Sequence, residues 1–100
     1  FKGSRILVVD ADEQVRNDAH TLLERYGCIV ETAQAGDEAV LMVRNCAEDE
    51  MYDVIISDIR LPDYSGYQLM MRLQNYMSPV PMVLMTGFGY DPGHSIVKAR

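Results

Sequence analysis

The sequence has little of several residue types, and each shortage excludes a kind of site or protein. It has no tryptophan, and only two cysteines and two histidines among its 100 residues. Cys28 and Cys46 are not spaced as a C-x-x-C redox pair or as half of a zinc site, so we expect two buried, reduced thiols in a cytoplasmic protein. No apolar run approaches the roughly 18 residues of a membrane span, and the N-terminus lacks the shape of a signal peptide.

Basic residues are also few. The chain has nine Lys and Arg and fifteen Asp and Glu, which gives a net charge of −6. That charge argues against a domain that binds nucleic acid or an anionic membrane directly. The hydrophobic content of 48% and charged content of 24% are typical of an ordered globular chain, so we expect residues 1–100 to form one domain. Because the chain starts almost directly on a predicted strand, we expect a domain cut from a longer protein.

Short apolar segments alternate with segments of helical spacing. The predicted elements are strands over 5–10, 28–33, 53–58 and 81–86, and helices from 12 or 13 to 27, from 36 to a solvated acidic end at 48–50, after a cap at 65, and from 94. The helical residues expected to face the core are Val15, Ala19, Leu22, Leu23, Tyr26, Ala39, Val40, Val43, Ala47, Leu69, Met70, Leu73 and Met77. Met82 and Met85 are expected in the core as well. The alternation predicts an α/β fold of parallel βαβ units.

Polar side chains end three of the predicted strands, namely Asp10, Asp58 and Thr86. Because the carboxyl ends of parallel strands meet at one edge of a sheet, we expect these side chains to lie together. A carboxylate can accept a phosphoryl group, and carboxylate oxygens are ligands that Mg²⁺ prefers. The sequence therefore predicts a magnesium-assisted phosphoryl-transfer site with Asp58 as the acceptor. Further acids, including Asp12 and Asp63, are expected near it.

Several of these segments together resemble the receiver domain of two-component response regulators. They are Leu7-Val8-Val9-Asp10, Asp58-x-x-x-Pro62-x-x-x-Gly66 and Val83-Leu84-Met85-Thr86-Gly87, and the resemblance runs through essentially the whole chain. It implies a flavodoxin-like, doubly wound parallel sheet of order 2-1-3-4-5. It also implies that Asp58 takes phosphate from a histidine kinase or phosphotransfer protein and that Thr86 is the switch hydroxyl. By the same resemblance, Asp10, Asp58 and the backbone carbonyl of Arg60 would hold Mg²⁺.

The resemblance also implies what kind of protein this is. It would be a binding and switching module rather than a turnover enzyme. Cysteine usage and net charge add the expectation that it is cytoplasmic and makes no direct contact with nucleic acid or membrane. Its partners would be the phosphate donor and an output domain in the same longer chain or a downstream protein. A homodimer is a further expectation, since receivers often pair through their fourth and fifth elements.

The chain departs from the receiver pattern in two places. Receivers usually carry two adjacent acids after the first strand, and Ala11 occupies the second place here, while Asp12 is predicted on the turn into the helix. This leaves two alternatives open, a weak magnesium site or one that works without metal. By family spacing, the fifth strand with its Lys, the aromatic switch residue and the fifth helix would lie beyond Arg100, and Lys98 is too early for that role. The fourth strand would then be an open edge.

Two other functional interpretations compete with a phospho-accepting receiver. Ala11 favours a degenerate receiver that binds partners without phosphorylation. Asp10-Ala11-Asp12 also fits the D-x-D start of haloacid-dehalogenase-like phosphatases, with Asp10 as nucleophile and Asp12 as acid. Gln14 stands where that family has Thr or Val, and the chain has no room for a cap. A flavin-binding flavodoxin is disfavoured because the loop after the first strand is acidic, whereas a phosphate-cradling loop favours Gly, Ser and Thr.

Four further residues have positions that bear on a role at or near the site. Arg60 and Phe88 each follow a site residue by two positions, and we hypothesise that they shield a phosphoryl group from water. His20 and His94 have no partner at a catalytic spacing, so we expect both on the surface rather than as phosphate carriers.

Overall fold

The computed structural model describes residues 2–85, in which strands and helices alternate as predicted. The elements are β1 (Arg5–Val9), α1 (Glu13–Arg25), β2 (Ile29–Ala33), α2 (Gly36–Arg44), a 3-10 turn (Glu48–Glu50), β3 (Val54–Asp58), α3 (Gly66–Leu73) and β4 (Met82–Met85). The predicted roles of Thr86, Phe88, His94 and Lys98 fall outside the described residues and stay predictions. No helix within residues 2–85 is long and apolar enough to cross a membrane.

All four described strands are parallel and form one sheet in the order β2-β1-β3-β4. The chain therefore winds outward from β1 in both directions, which confirms the predicted doubly wound sheet for these strands. Val9 pairs with Ser57, and Asp58 pairs with Met85, so β1, β3 and β4 end at the same edge of the sheet. This register decides which side chains can meet at that edge.

The core consists of two apolar layers, one on each face of the sheet. Leu7 and Val9 of β1 point to the face covered by α2 and α3, and Ile6 and Val8 point to the face where α1 packs. These side chains are at most 4% exposed, as expected for the central strand of a parallel sheet. In β3 only Ile55 is this deeply buried among the apolar residues, whereas Ile56 on the α1 face is half-buried.

Two residues assigned to the inner face of α1 lie in solvent. Leu22 is 52% exposed and Tyr26 is 63% exposed, while Ala19 and Leu23 pack against the core. The predicted apolar stripe was too wide, since α1 has no fully buried residue. Tyr26 is the C-cap rather than part of the helix, and Gly27 follows it with a φ of 83°, a left-handed conformation that favours glycine.

The second helix is shorter than predicted. It ends at Arg44, so Cys46 lies after the helix, half-buried, and its Sγ donates to the carbonyl of Glu50 at 3.0 Å. Ala47 is exposed and precedes the 3-10 turn, so its assignment to the helical core was wrong. Cys28 is buried as predicted. Asn45 is the C-cap of this helix, and the acidic residues 48–50 that follow are exposed.

Methionines fill the outer part of the core rather than its centre. Met70, Met77, Met82 and Met85 are all half-buried, and Met77 and Met82 pack against the α2–α3 layer. At the sheet edge Val83 of β4 is 51% exposed, and β4 is the last strand of the sheet within residues 2–85. Within the described residues, β4 therefore pairs with β3 on one side, and its other side is an open edge of the sheet.

Candidate functional site

The carboxylates predicted to form a site lie at the same edge of the sheet. Asp58 is the last residue of β3, and Asp10 directly follows β1. Since Val9 and Ser57 are partners in adjacent parallel strands, Asp10 and Asp58 come next along each strand, side by side. The two carboxylates are close enough for the charge of Asp58 to raise the pKa of Asp10. The fold thus brings together the two acids that the sequence singled out.

Asp10 is the buried member of the pair, with 6% of its surface exposed. Its Oδ1 accepts from the backbone N–H of Asp12 at 2.8 Å, and its own N–H donates to the carbonyl of Ala33 at 3.0 Å. Burial is the main cause that raises the pKa of Asp10, and the charges of Asp58 and Asp12 add to it; the Asp12 N–H and Arg16 oppose the shift. A buried carboxylate beside a second one is a place where a bound cation lowers the free energy.

Asp58 is the more accessible member, since it is half-buried where Asp10 is buried. Its Oδ1 accepts from the backbone N–H of Arg60 at 3.1 Å, and its carbonyl accepts from the hydroxyl of Ser57 at 2.9 Å. These two hydrogen bonds thus hold both the carboxylate and the backbone of Asp58 in place. A positioned but reachable carboxylate is what nucleophilic attack on an incoming group requires.

The loop between β3 and α3 is folded back beside Asp58. Gly66 N–H donates to the carbonyl of Ile59 at 2.7 Å, and Arg60 and Ser65 form an antiparallel bridge. A Cβ on Gly66 would lie 2.6 Å from the carbonyl oxygen of Asp58, closer than real Cβ contacts, so glycine is required by this close approach. The Gly66 that closes the sequence motif is thereby explained by the packing of α3 against the end of β3.

The beginning of α3 is capped as predicted. The hydroxyl of Ser65 accepts from the Gln68 N–H at 3.1 Å, and the Gln68 side chain accepts from the Ser65 N–H at 3.0 Å. This reciprocal capping box satisfies two backbone donors that the helix leaves without partners. It also fixes the start of the helix at Gly66, the glycine of the close approach.

The segment after Asp10 shows what replaces the usual second acid. Ala11 is exposed, and Asp12 is the N-cap of α1, with its Oδ1 accepting from the Gln14 N–H at 2.8 Å. The prediction that Asp12 lies on the turn into the helix is confirmed. Among residues 2–85, no three His, Cys, Asp or Glu side chains form a group that could hold a metal ion. A set of two carboxylates still suits Mg²⁺, which is usually held by one or two carboxylates together with water and phosphate oxygens.

Arg16 is a site residue that the sequence reasoning missed. From α1, its Nη1 donates to the carbonyl oxygen of Asp10 at 2.7 Å, and its charge lowers the pKa of Asp10. It therefore ties the helix to the loop that carries Asp10 and places a cation beside the two acids. The signal available in the sequence was a lone basic residue in an otherwise acidic segment, six positions after Asp10.

Two other residues have surroundings that bear on their predictions. Asp63, expected among the acids of the site, instead binds backbone N–H groups at the start of α2 through both carboxylate oxygens. Its carboxylate is thus bonded to the start of α2, and its place near the acids of the site stays a prediction. His20 lies on the surface of α1 as predicted, where its Nδ1 is 3.0 Å from Glu24 Oε1 one turn along the helix.

Comparisons with known proteins agree with this geometry. The family model described as the response regulator receiver domain matches residues 6–97. The chain belongs to the response regulator receiver domain family. Solved receiver structures share the fold: the chemotaxis response regulator CheY4 of Vibrio cholerae superposes with a TM-score of 0.74 at 28% identity, over 92% of this chain and 74% of that one.

Two relatives place this receiver domain in context. A probable transcriptional regulator, ycf27, of Guillardia theta is 34% identical over 85 residues, which cover 85% of this chain and 32% of that protein. The transcriptional regulatory protein CpxR homolog of Haemophilus influenzae is 32% identical over 88 residues, covering 88% of this chain and 36% of that protein. The chain thus spans about a third of the length of these relatives.

Family membership also bears on the functional alternatives. The function that goes with a receiver domain is that of a phosphate-receiving module in two-component phosphorelay signal transduction. Nothing in these comparisons favours the haloacid-dehalogenase-like phosphatase or the degenerate receiver. The flavodoxin-like fold is confirmed through the same structures, without any support for flavin binding.

Proposed function

We propose that Asp58 is the phosphoacceptor of this receiver domain. The observation that carries the proposal is the contrast between the two carboxylates: Asp58 is half-buried at the end of β3, and Asp10 beside it is buried. An acceptor must reach the phosphorus of an incoming donor in line, which an accessible side chain can do and a buried one cannot. The same contrast argues against Asp10 as a nucleophile.

The donor would be a phosphohistidine of a histidine kinase or phosphotransfer protein. A carboxylate oxygen of Asp58 attacks the phosphorus, a phosphorus–oxygen bond forms, and the phosphorus–nitrogen bond breaks with its electron pair returning to the imidazole. The product is an aspartyl phosphate, and its added charge is sensed by residues around it. In this proposal Thr86 is the hydroxyl that approaches the phosphate, and the surface that follows β3 and β4 changes for the partner to bind.

Asp10, Asp58 and the backbone carbonyl of Arg60 would hold Mg²⁺. The fit is supported by the two adjacent carboxylates, the raised pKa of Asp10 and the position of Arg60, whose N–H is bonded to Asp58. When bound, Mg²⁺ would offset the negative charge of the acids and of the transferred group. Because Ala11 supplies no ligand and Asp12 caps α1, we propose weaker magnesium binding than in receivers with two adjacent acids.

The remaining parts of the proposal concern the whole protein. We propose that it works in the cytoplasm as a switching module rather than as a turnover enzyme, and that it acts on an output domain in its own longer chain or on a downstream protein. The relatives that it resembles along a third of their length are named as transcriptional regulators, which supports an output domain in the same chain. A homodimer remains part of the proposal.

The test is the intact mass of the protein after incubation with acetyl phosphate, with and without Mg²⁺. We expect one phosphoryl adduct that depends on Mg²⁺, is absent in Asp58→Asn and persists in the control Asp49→Asn, whose side chain lies on the exposed 3-10 turn. Peptide mapping should place the adduct on Asp58. An adduct on Asp10, or none at any magnesium concentration, would refute the assignment.

A further inference from the structure

The start of α2 is capped by a residue from another part of the chain. Its own N-cap, Ala35, makes no side-chain cap hydrogen bond. Asp63, in the loop between β3 and α3, supplies the cap: Oδ1 accepts from Gly36 N–H at 2.9 Å, and Oδ2 accepts from Asp37 N–H at 2.8 Å. One carboxylate thus accepts from two backbone N–H groups that have no partner within the helix. Its negative charge also lies at the positive end of the helix dipole, where it is favourable.

The ionised form of Asp63 is the one that this arrangement favours. Burial alone would raise its pKa, but the backbone N–H groups of Asp37, Gly36 and Tyr64 outweigh burial, and the pKa lies below its ordinary value. Hydrogen bonds to an ionised acceptor are stronger than those between neutral groups. The cap is therefore a charge-assisted link between the loop and the helix.

Tyr64 makes a second link beside the first. Its hydroxyl donates to Asp37 Oδ1 at 3.0 Å, and the guanidinium carbon of Arg72 lies 4.4 Å from the centre of its ring. Burial and the bond to Asp37 both raise the pKa of Tyr64, so the hydroxyl stays a donor. A Cβ on Gly36 would lie 2.3 Å from the Tyr64 ring, which means that the ring occupies the space that glycine leaves open.

These contacts form what we term the loop–helix clasp, comprising Asp63 and Tyr64 of the loop and Gly36 and Asp37 of α2. Asp63 and Tyr64 lie in the sequence between Arg60 and Ser65, and those two residues pair with each other across the base of the loop. Arg60 in turn donates its N–H to the carboxylate of the proposed phosphoacceptor. The loop is thus anchored at its base beside β3 and at its tip on α2.

We propose that the loop–helix clasp positions the β3–α3 loop, and with it the Arg60 backbone beside Asp58, for phosphate acceptance. The inference rests on the proposed function of Asp58. Asp63 and Tyr64 are positioning residues, since their contacts are to α2 and Arg72 and not to the carboxylates of the site. A loop held only at its base would sample more conformations, and ordering it on each binding event would weaken the binding of the cation that Arg60 helps to hold.

The test compares conservative variants with matched controls. Tyr64→Phe removes the hydroxyl that bonds Asp37 and keeps the ring, and Asp63→Asn removes the charge of the cap. Tyr67→Phe, an exposed tyrosine on α3, and Asp49→Asn are the controls. Mg²⁺ binding is measured by titration calorimetry, and the labelling of Asp58 by acetyl phosphate is followed against Mg²⁺ concentration, well below the thermal midpoint of every variant.

We expect both clasp variants to need about fivefold more Mg²⁺ for half-saturation, the factor that corresponds to one net hydrogen bond of about 1 kcal/mol, with the maximal labelling rate little changed. A purely structural role would lower the thermal midpoint without moving the half-saturation. That result, with the wild type labelled on Asp58, would overturn the clasp proposal alone. A wild type that binds Mg²⁺ more tightly than the variants but takes no phosphate would overturn the phosphoacceptor proposal and support the clasp. A wild type that neither binds Mg²⁺ nor takes phosphate would overturn both.

Discussion

Replacement of Gly66 by alanine should damage both the stability and the chemistry of the domain. The added Cβ would lie 2.6 Å from the Asp58 carbonyl oxygen, 3.0 Å from Leu84 Cδ2 and 3.3 Å from Ile59 Cα. The Leu84 methyl is the end of a flexible side chain and can move. The other two contacts are backbone at the end of β3, so relief requires a shift of the strand or of α3.

The expected change in the free energy of unfolding is the balance of two opposing effects. Overpacking of a well-packed core costs about 1–3 kcal/mol, whereas alanine is better than glycine inside a helix by at most about 1 kcal/mol. At the first residue of α3 the helical gain is smaller than in the middle, so we expect a net loss of about 2 kcal/mol. For a domain of this size that loss lowers the thermal midpoint by roughly 8–16 °C.

The assay combines thermal unfolding with phosphate labelling. Because the shift falls on the residue that carries the acceptor, Asp58 labelling at a temperature where the variant is folded should slow roughly ten- to a hundredfold. Met71→Ala is the control on the same helix, since Met71 is 67% exposed, and its midpoint should change little. A Gly66→Ala variant as stable as the wild type would refute the argument that the close approach requires glycine.

Three further predictions concern the clasp and the acid pair. Gly36→Ala should destabilise the protein by about 1–2 kcal/mol, because the new methyl displaces the Tyr64 ring, but should be neutral or stabilising when Tyr64 is already alanine; additive losses in a denaturant double-mutant cycle would contradict the packing. Asp10→Asn should raise the thermal midpoint measured without Mg²⁺, since it removes a buried charge beside Asp58. It should also abolish any stabilisation by added Mg²⁺, and a lower midpoint would contradict this. Because the pKa of Asp63 is lowered on folding, its stabilisation is fully present above the ordinary aspartate pKa of about 3.9 and is lost as the pH falls through the lower, folded value. The stability difference between wild type and Asp63→Asn should therefore shrink between about pH 5 and pH 3, and a constant difference would show that the charge of Asp63 contributes nothing.

Much of the fold could be predicted because its signals are local. The central strand, the Asp12 and Ser65 caps and the turn at Gly27 are each specified within a few neighbouring residues. The pairing of Asp10 with Asp58 followed from a general rule about the ends of parallel strands. These features need no knowledge of which distant segments touch, so periodicity and capping chemistry were sufficient.

The predictions that were wrong concern where a helix ends and how much of its apolar face other elements cover. Leu22 and Ala19 share a helical stripe in the sequence, yet Ala19 packs against the core and Leu22 lies in solvent. Ala47 continues the spacing of α2, but the helix ends before it. Spacing predicts which side chains share a face, and the packing of one element on another decides how much of that face is covered.

The sequence by itself determined the type and order of the described strands and α-helices, the caps of α1 and α3 and the acids at the edge of the sheet, because each depends on short-range chemistry. Only the tertiary structure decided that Asp10 is buried while Asp58 is accessible, that Arg16 lies beside them, and that Asp63 caps a helix that begins 27 residues earlier in the chain. Those relations join residues far apart along the chain, and a carboxylate's burial and partners exist only once the strands and helices have packed around it.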